Sequence, residues 1–315
     1  MDLSLVIPCY NEEGNVKKFF EEAEKQFGHR GITYEYVFIN DGSNDNTGRV
    51  LKELFDTKTE NNISIINFSR NFGKESAIFA GLKNADGDYI CVIDADLQQH
   101  PSVAAEMYDI ITSDSDCDCV CAYQNERRES KAMSAAKSTF YRIMNKMTET
   151  EMKNGASDFR LFSSKFKDAV LSLGEYHRFS KGIFSWIGFN VKYIEYTAEE
   201  RNSGETKWSL SKLIKYGLNG MLAFSVAPLK IATVIGSIST LLSIIYLIVT
   251  IIRKLTSNIT VDGFTQIVIL ITFFSGVLLF TVGIIGEYIA KIYQQVKNRP
   301  IYIEKNSFKI GRAHV

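Results

Sequence analysis

The sequence lacks a net charge. Its 36 Lys and Arg are balanced by 36 Asp and Glu over 315 residues, so no overall field marks nucleic acid as a partner. A basic n-region is lacking too: Met1-Asp-Leu-Ser runs straight into an apolar segment, which predicts no signal peptide. The five cysteines, Cys9, Cys91, Cys117, Cys119 and Cys121, form no Cys-x-x-Cys pair and have no histidine beside them. That argues against a zinc knuckle and for buried, reduced thiols in a cytosolic setting. No internal repeat or low-complexity linker interrupts the chain. The absence with the largest consequence is local: residues 231–252 and 264–286 contain no Asp, Glu, Lys or Arg. At about 1.5 Å per residue, each run makes a helix long enough to cross a bilayer.

What is present before those runs alternates strand, polar turn and helix. Apolar runs at Leu3–Pro8, Tyr34–Ile39, Ile63–Asn67 and Tyr89–Ile93 predict strands. Helices are expected from Asn11 or Glu12 to about Phe27, from Thr47 to about Asp56 with Asp45 or Asn46 as cap, from the Arg70-Asn-Phe-Gly-Lys74 lead-in through Asn84, and from Ser102 to Ser113. Further strands are expected at Asp118–Tyr123, Phe159–Phe162 and Val191–Tyr196. The pattern is that of an open α/β sheet, whose ligands bind beyond the carboxyl ends of the strands. Lys131–Thr148 reads as a basic amphipathic helix, suited equally to core packing and to a membrane surface.

The link Arg253–Gly263 carries two basic residues, against Lys207, Lys212, Lys215 and Lys230 before the spans and Lys291, Lys297, Arg299 and Lys305 after them. The bias places both termini and the catalytic part in the cytosol, and the protein in the cell membrane as a multi-pass chain. The expected division is a transferase domain at 1–208, an amphipathic juxtamembrane segment at 209–228, two transmembrane helices at 229–290 and a cytosolic tail at 291–315. The sequon Asn258-Ile-Thr260 would face outward, with a chance match as the plain alternative. The end Ile310–Val315 has no structural pattern and reads as extraneous, so His314 is given no role.

The chemistry centres on Asp94-Ala-Asp96, just after the Tyr89–Ile93 run. In extended backbone this spacing puts both carboxylates on one face. Two converging carboxylates call for a cation, and Mg²⁺ or Mn²⁺ would leave coordination positions open for a diphosphate. A solvated acidic turn is the plain alternative.

Six stretches then carry a resemblance: Val6-Ile-Pro-Cys-Tyr-Asn-Glu-Glu13, Asn40-Asp-Gly-Ser-Asn-Asp-Asn-Thr47, Ser69-Arg-Asn-Phe-Gly-Lys74, Asp94-Ala-Asp-Leu-Gln98, Ser157-Asp-Phe-Arg-Leu161 and Glu200–Trp208. In this order, with two spans after them, the chain resembles family 2 glycosyltransferases of the polyprenyl-phosphate type. These include bacterial undecaprenyl-phosphate glucosyltransferases and relatives of dolichyl-phosphate mannose synthase. The likeness runs from Leu3 to Pro300. It implies a GT-A-type, open and mostly parallel sheet followed by a transmembrane hairpin. It also implies an inverting, metal-dependent transfer of a hexose from a nucleotide sugar, with UDP-glucose favoured. The acceptor would be undecaprenyl or another polyprenyl phosphate, and the product would serve cell-envelope glycan modification.

By the same resemblance, Pro8, Tyr10, Glu12, Asp41, Lys74 and Asp94 hold the nucleotide sugar, and Asp94, Asp96 and Gln98 hold Mg²⁺ or Mn²⁺. Asp158, with Asp96, is catalytic. Since a phosphate oxygen is already anionic, Asp158 can serve as a base, orient the acceptor or stabilise charge on the sugar. Arg201 and Lys207 are candidates for the acceptor phosphate. So are Arg127, Arg128 and Lys137, for which a solvated surface is the competing reading. Two departures stand out: Gln99-His100-Pro101 replaces the family's Asp-Pro-Pro, and Gln124 replaces an Arg. A processive polysaccharide synthase is disfavoured because Gln-x-x-Arg-Trp and further spans are missing. A catalytically silent membrane scaffold would not need the acidic and basic motifs together. No nucleic-acid partner is expected, and self-association is left open.

Overall fold

A computed structural model of the chain describes residues 1–58, 62–124, 156–197, 225–256 and 263–309. The chain divides into two compact units, Met1–Tyr216 joined by Arg299–Val315, and Gly217–Asn298.

The first unit is built on a sheet of order β7-β5-β6-β4-β1-β2-β3-β8. Strands β1 (Leu3–Cys9), β2 (Tyr34–Asn40), β3 (Asn62–Phe68) and β4 (Tyr89–Val92) form its parallel centre. Leu3, Leu5, Val6 and Ile7 are all buried, as expected of strands covered on both faces. The polar exception, Ser4, is paired: its hydroxyl donates to Glu35 Oε1 at 2.6 Å and accepts from Gly87 N at 2.8 Å, so no buried polar atom there is left bare.

Helix α1 (Val16–Phe27) buries Val16, Phe19, Phe20, Ala23 and Phe27, one stripe at helical spacing. Phe20 meets Tyr36 with ring centroids 5.0 Å apart, and Phe19 meets Phe38 edge-on at 6.5 Å. Each such ring contributes roughly 1.5–3 kcal/mol on burial. Helices α2 (Thr47–Thr57), α3 (Lys74–Asn84) and α4 (Pro101–Ser113) follow β2, β3 and β4. At Gly81 of α3 a Cβ would stand 2.2 Å from Val6 Cγ1, so this glycine sets how closely α3 lies on the sheet.

After α4 the sheet becomes mixed. Strand β5 (Cys119–Tyr123) pairs in parallel with β7 (Val191–Glu195), while β6 (Ala156–Ser163) runs antiparallel between β4 and β5. Helices α5 (Ser164–Ser172) and α6 (Ser180–Trp186) separate β6 from β7. All five cysteines are buried and free, as the sequence implied.

The second unit holds α7 (Ala227–Thr256) and α8 (Phe264–Val296), both long and apolar enough to cross a membrane. Leu241, Leu242, Leu278 and Leu279 each expose more than half their surface, which an aqueous protein would bury. Two tyrosines tie the hairpin: Tyr246 donates to Gln266 Oε1 at 3.1 Å, and Tyr288 to Ser225 O at 2.6 Å.

The region expected to be a tail does something else. Residues up to Val296 continue α8, and Glu304–Lys309 form β8, antiparallel to β3 at the sheet edge. Phe308 lies 5.8 Å from Phe55, and Tyr302 stacks on Phe68 at 4.8 Å. The first unit is therefore completed by chain that comes after the hairpin. Glu-Lys-Asn-Ser-Phe-Lys has no apolar alternation to announce a strand; its pairing with an open edge makes it one.

Candidate active site

The parallel strands run outward from β1 to β3, and the chain then returns to place β4 on the other side of β1. That reversal opens a crevice at the carboxyl ends of β1 and β4, and the loops after β1, β2, β3 and β4 meet there.

The loops after β1 and β2 are knitted together by side chains. Asn11 adopts φ 56°, within reach of asparagine. Its amide donates to Ser43 Oγ at 3.0 Å, and its own Oδ1 accepts from Asn44 N at 2.9 Å. Glu12 N donates to Thr47 Oγ1 at 2.8 Å, and Glu12 Oε2 accepts from Asn15 Nδ2 at 2.6 Å. Helix α1 therefore starts at Val16, later than Asn11 or Glu12, because residues 11–15 serve this interlock. Asp45 accepts from Thr47 N at 3.0 Å and from Glu13 N at 3.2 Å; it supplies the bonds at the start of α2 although Asn46 occupies the capping position. Pro8 and Tyr10 sit at the crevice end of β1, both partly exposed.

Asp41 is more deeply committed than the sequence suggests. Its Oδ1 accepts from Phe72 N at 2.7 Å and its Oδ2 from Gly73 N at 2.9 Å, and Asn71 Nδ2 donates to its carbonyl at 3.2 Å. Burial pushes its carboxyl up, partly offset by those two amide bonds. Gly42 stands at φ +61°, and a Cβ there would lie 2.2 Å from Arg70 C. Asp-Gly is thus the clamp that fixes the 70–73 loop.

That loop delivers Lys74. Its ammonium donates to Asp94 Oδ2 at 2.7 Å, is also 2.7 Å from Asp94 Oδ1, and lies 3.6 Å from Asp158 Oδ2. Burial works against its charge, but Asp94 and then Asp158 outweigh that and hold its pKa above the ordinary lysine value. One cation therefore joins the end of β4 to β6.

The acidic stretch itself differs from expectation. Strand β4 ends at Val92, and Asp94–Gln98 form a turn with Leu97 at φ 62°, so Asp94 and Asp96 do not share a face by strand alternation. Asp96 Oδ1 accepts from Gln98 N at 3.1 Å. Asp94 is held by Gln99, which accepts from Asp94 N at 2.9 Å and donates through Nε2 to Asp94 Oδ2 at 3.2 Å. Gln99 is buried, and the departure from Asp-Pro-Pro thus fills the supporting place with an amide. His100 caps α4, its Nδ1 accepting from Ser102 N at 3.2 Å.

Asp158 projects from β6. Its Oδ1 is buried and makes no hydrogen bond. Burial pushes this carboxyl up, but Lys74, Lys181 and Arg160 together bring it below the usual carboxylate range. Arg160 is fixed from beneath: it is buried, donates Nε to Ser157 O at 3.1 Å, and lies over the Phe184 ring at 4.8 Å. Beside Lys74, Glu75 Oε2 accepts from Ser180 N at 2.9 Å and from the Ser180 hydroxyl. Burial, and next the Asp158 charge, pushes Glu75 up to about 7.

The structure joins Lys74, Asp94 and Asp158 directly and ties Asp41 to the loop that carries Lys74. Glu12, Asp96 and Gln98 lie in the loops after β1 and β4. The candidate acceptor residues Arg127, Arg128, Lys137, Arg201 and Lys207 lie outside the described residues, as do the Lys131–Thr148 helix, the Ser209–Phe224 segment and the sequon. Sequence reasoning missed Glu75, Gln99, Arg160 and Lys181. Gln99 had a signal, its place beside the acidic turn, whereas Glu75 and Lys181 are brought to the site only through the bonds of Ser180 on α6 to Glu75 on α3.

Residues 4–170 match Glycosyl transferase family 2, and residues 227–292 match the GtrB C-terminal hairpin. CsbB of Bacillus subtilis (strain 168), whose glycosyltransferase name is provisional, is 42% identical over 305 residues, covering 97% of this chain and 92% of that one. The bactoprenol glucosyl transferase of Shigella phage SfII is 35% identical over 310 residues, covering 98% of this chain and 99% of the relative. The prophage bactoprenol glucosyl transferase homolog of Escherichia coli (strain K12) is 34% identical over 306 residues, covering 97% and 99%. A GT-A-type sheet with paired acidic groups at its crevice, followed by an apolar hairpin, agrees with both matches: the chain is a member of glycosyl transferase family 2, a glycosyltransferase carrying a GtrB-type C-terminal hairpin.

Proposed function

We propose that this glycosyltransferase moves a hexose, glucose from UDP-glucose in the first instance, onto undecaprenyl or a related polyprenyl phosphate, with inversion, to supply lipid-linked sugar for cell-envelope glycan modification. The observation that carries the reading is Lys74, whose ammonium bridges Asp94 and Asp158 in a chain that aligns along nearly its whole length with bactoprenol glucosyl transferases. A lipid phosphate oxygen attacks the anomeric carbon, the bond to the nucleoside diphosphate breaks, and the electron pair leaves with the diphosphate. Because the attacking oxygen is already anionic, Asp158 is assigned to orienting the acceptor and stabilising positive charge on the sugar.

On the donor side the interlocked 11–13 and 43–47 loops, with Pro8 and Tyr10, form the wall for the nucleoside. Asp41 acts there by holding the 70–73 loop, leaving its remaining lone pairs for a base. The donor set at the acidic turn fits a hard divalent ion. Asp96 and Gln98 would hold Mg²⁺ or Mn²⁺, with Asp94 shared because it is paired to Lys74. Two or three protein oxygens would leave such an ion positions for diphosphate oxygens. Bound there, it would neutralise charge on the departing diphosphate.

The hairpin suits a substrate that never leaves the bilayer. With two spans, the chain before and after it lies on one side, which the charge bias makes the cytosol. The test is a panel of radiolabelled nucleotide sugars incubated with protein-containing membranes and undecaprenyl phosphate. Organic-extractable label from UDP-glucose is expected; label in the lipid from no member of the panel would refute the reading.

A further inference from the structure

Three cations surround Asp158, and two of them are already committed. Arg160 is buried, tied to Ser157 O and stacked on Phe184. Lys74 is paired with Asp94 and with Asp158 Oδ2. Lys181 acts on Asp158 through its charge, yet among the described residues its ammonium has neither a hydrogen bond nor an ion pair within 4 Å. It is partly exposed, on the first turn of α6.

Its position is built rather than incidental. Ser180, one residue earlier, is buried and gives both its amide and its hydroxyl to Glu75 Oε2, the neighbour of Lys74 on α3. Those two bonds fix the start of α6 against α3 and hold the adjacent lysine at the Asp158 end of the site. Arg178, just upstream, ties the same connection to α5 by donating to Leu173 O at 2.8 Å and to Val170 O at 3.1 Å. An ammonium that has no partner among the described residues and acts on a catalytic carboxylate is suited to receive an anion.

We infer that Lys181 is a phosphate-binding residue of the transfer site, and that the phosphate it receives is the monoester of the lipid acceptor. This rests on the function proposed above. Lys181 acts on Asp158, the carboxylate assigned above to the acceptor, whereas Lys74 is paired with Asp94 of the acidic turn. The Glu75–Ser180 contact is then the support that positions it, and Glu75 itself touches no substrate.

The experiment uses the full chain in lipid nanodiscs, with Lys181→Met and Lys181→Arg beside wild type. Transfer is followed against undecaprenyl phosphate concentration, and UDP-glucose affinity is measured separately by calorimetry. The expected result is a KM for the lipid phosphate raised about ten-fold or more in Lys181→Met, largely restored in Lys181→Arg, with nucleotide affinity and thermal unfolding unchanged. A ten-fold loss of nucleotide affinity with lipid KM unchanged would overturn the assignment by moving the lysine to the donor diphosphate. Wild-type kinetics in Lys181→Met would overturn it outright. Wild type that uses no lipid phosphate would defeat the function itself; wild-type transfer with an unaffected Lys181→Met defeats only this inference.

Discussion

The two halves of the crevice are held together by different physics. On the side of β1, β2 and β3, the loops are fixed by side chain–backbone hydrogen bonds: Asn11 with Ser43 and Asn44, Asp45 with Glu13 and Thr47, Asp41 with Phe72 and Gly73. On the side of β4, β6 and α6, fixed charges dominate, with Asp94 and Asp158 sharing Lys74 and with Arg160 and Lys181 close to Asp158. The first arrangement is satisfied without a ligand and makes a preformed wall. The second is a set of charges whose partners can exchange when a diphosphate, a divalent ion and an anionic acceptor arrive. The rigid half suits recognition of the nucleoside, and the charged half suits the chemistry.

Substitutions should separate the halves. The largest effect is expected in the charged half: Asp96→Asn should lower transfer by about a hundred-fold or more while the unfolding temperature holds, read by initial rates beside a thermal melt. Retained turnover would place the metal elsewhere. In the frame the signature reverses. Gly42→Ala forces a left-handed backbone and a contact at 2.2 Å with Arg70 C, for a cost of about 1–3 kcal/mol from the conformation alone. It should lower the melting temperature by several degrees, and an unchanged melt would break the clamp account.

Gln99→Ala should fall between these. Freeing Asp94 from its amide support should cost about ten-fold in apparent metal affinity, measured by metal titration of nucleotide binding, with little change in unfolding. The smallest effect concerns Glu75. Its pKa is raised from 4.5 to about 7, so the folded state keeps a proton that the unfolded chain has released. Its contribution is full below about pH 4.5 and is lost as pH rises through about 7. Glu75→Gln should flatten that part of the profile, as melting temperatures collected from pH 4.5 to 8 would show; an unaltered slope would contradict the assignment.

Much of this was legible in the sequence because β1 to β4 are continuous apolar runs separated by polar turns; Thr47–Thr57 begins, and Lys74–Asn84 ends, where the sequence places it. The uncharged runs announced α7 and α8. Strand β8 was not legible, because all of its residues but Phe308 are polar and it becomes a strand only by lying against β3. At the site, Asp94, Lys74 and Asp158 could be named by motif, but that one ammonium serves both carboxylates could not. The face-sharing expected of Asp94 and Asp96 failed because β4 stops two residues before Asp94. Glu75 and Ser180 are 105 positions apart, a separation at which only tertiary packing makes a pair.

The most direct test of the central claim is acceptor dependence. Purified wild-type protein is supplied with UDP-glucose and Mg²⁺ or Mn²⁺, with and without undecaprenyl phosphate, and UDP release is followed together with formation of glucosyl lipid. The account predicts UDP release matched one-for-one by lipid-linked glucose and almost none without the lipid phosphate. UDP release at the same rate whether or not the lipid phosphate is present would contradict it.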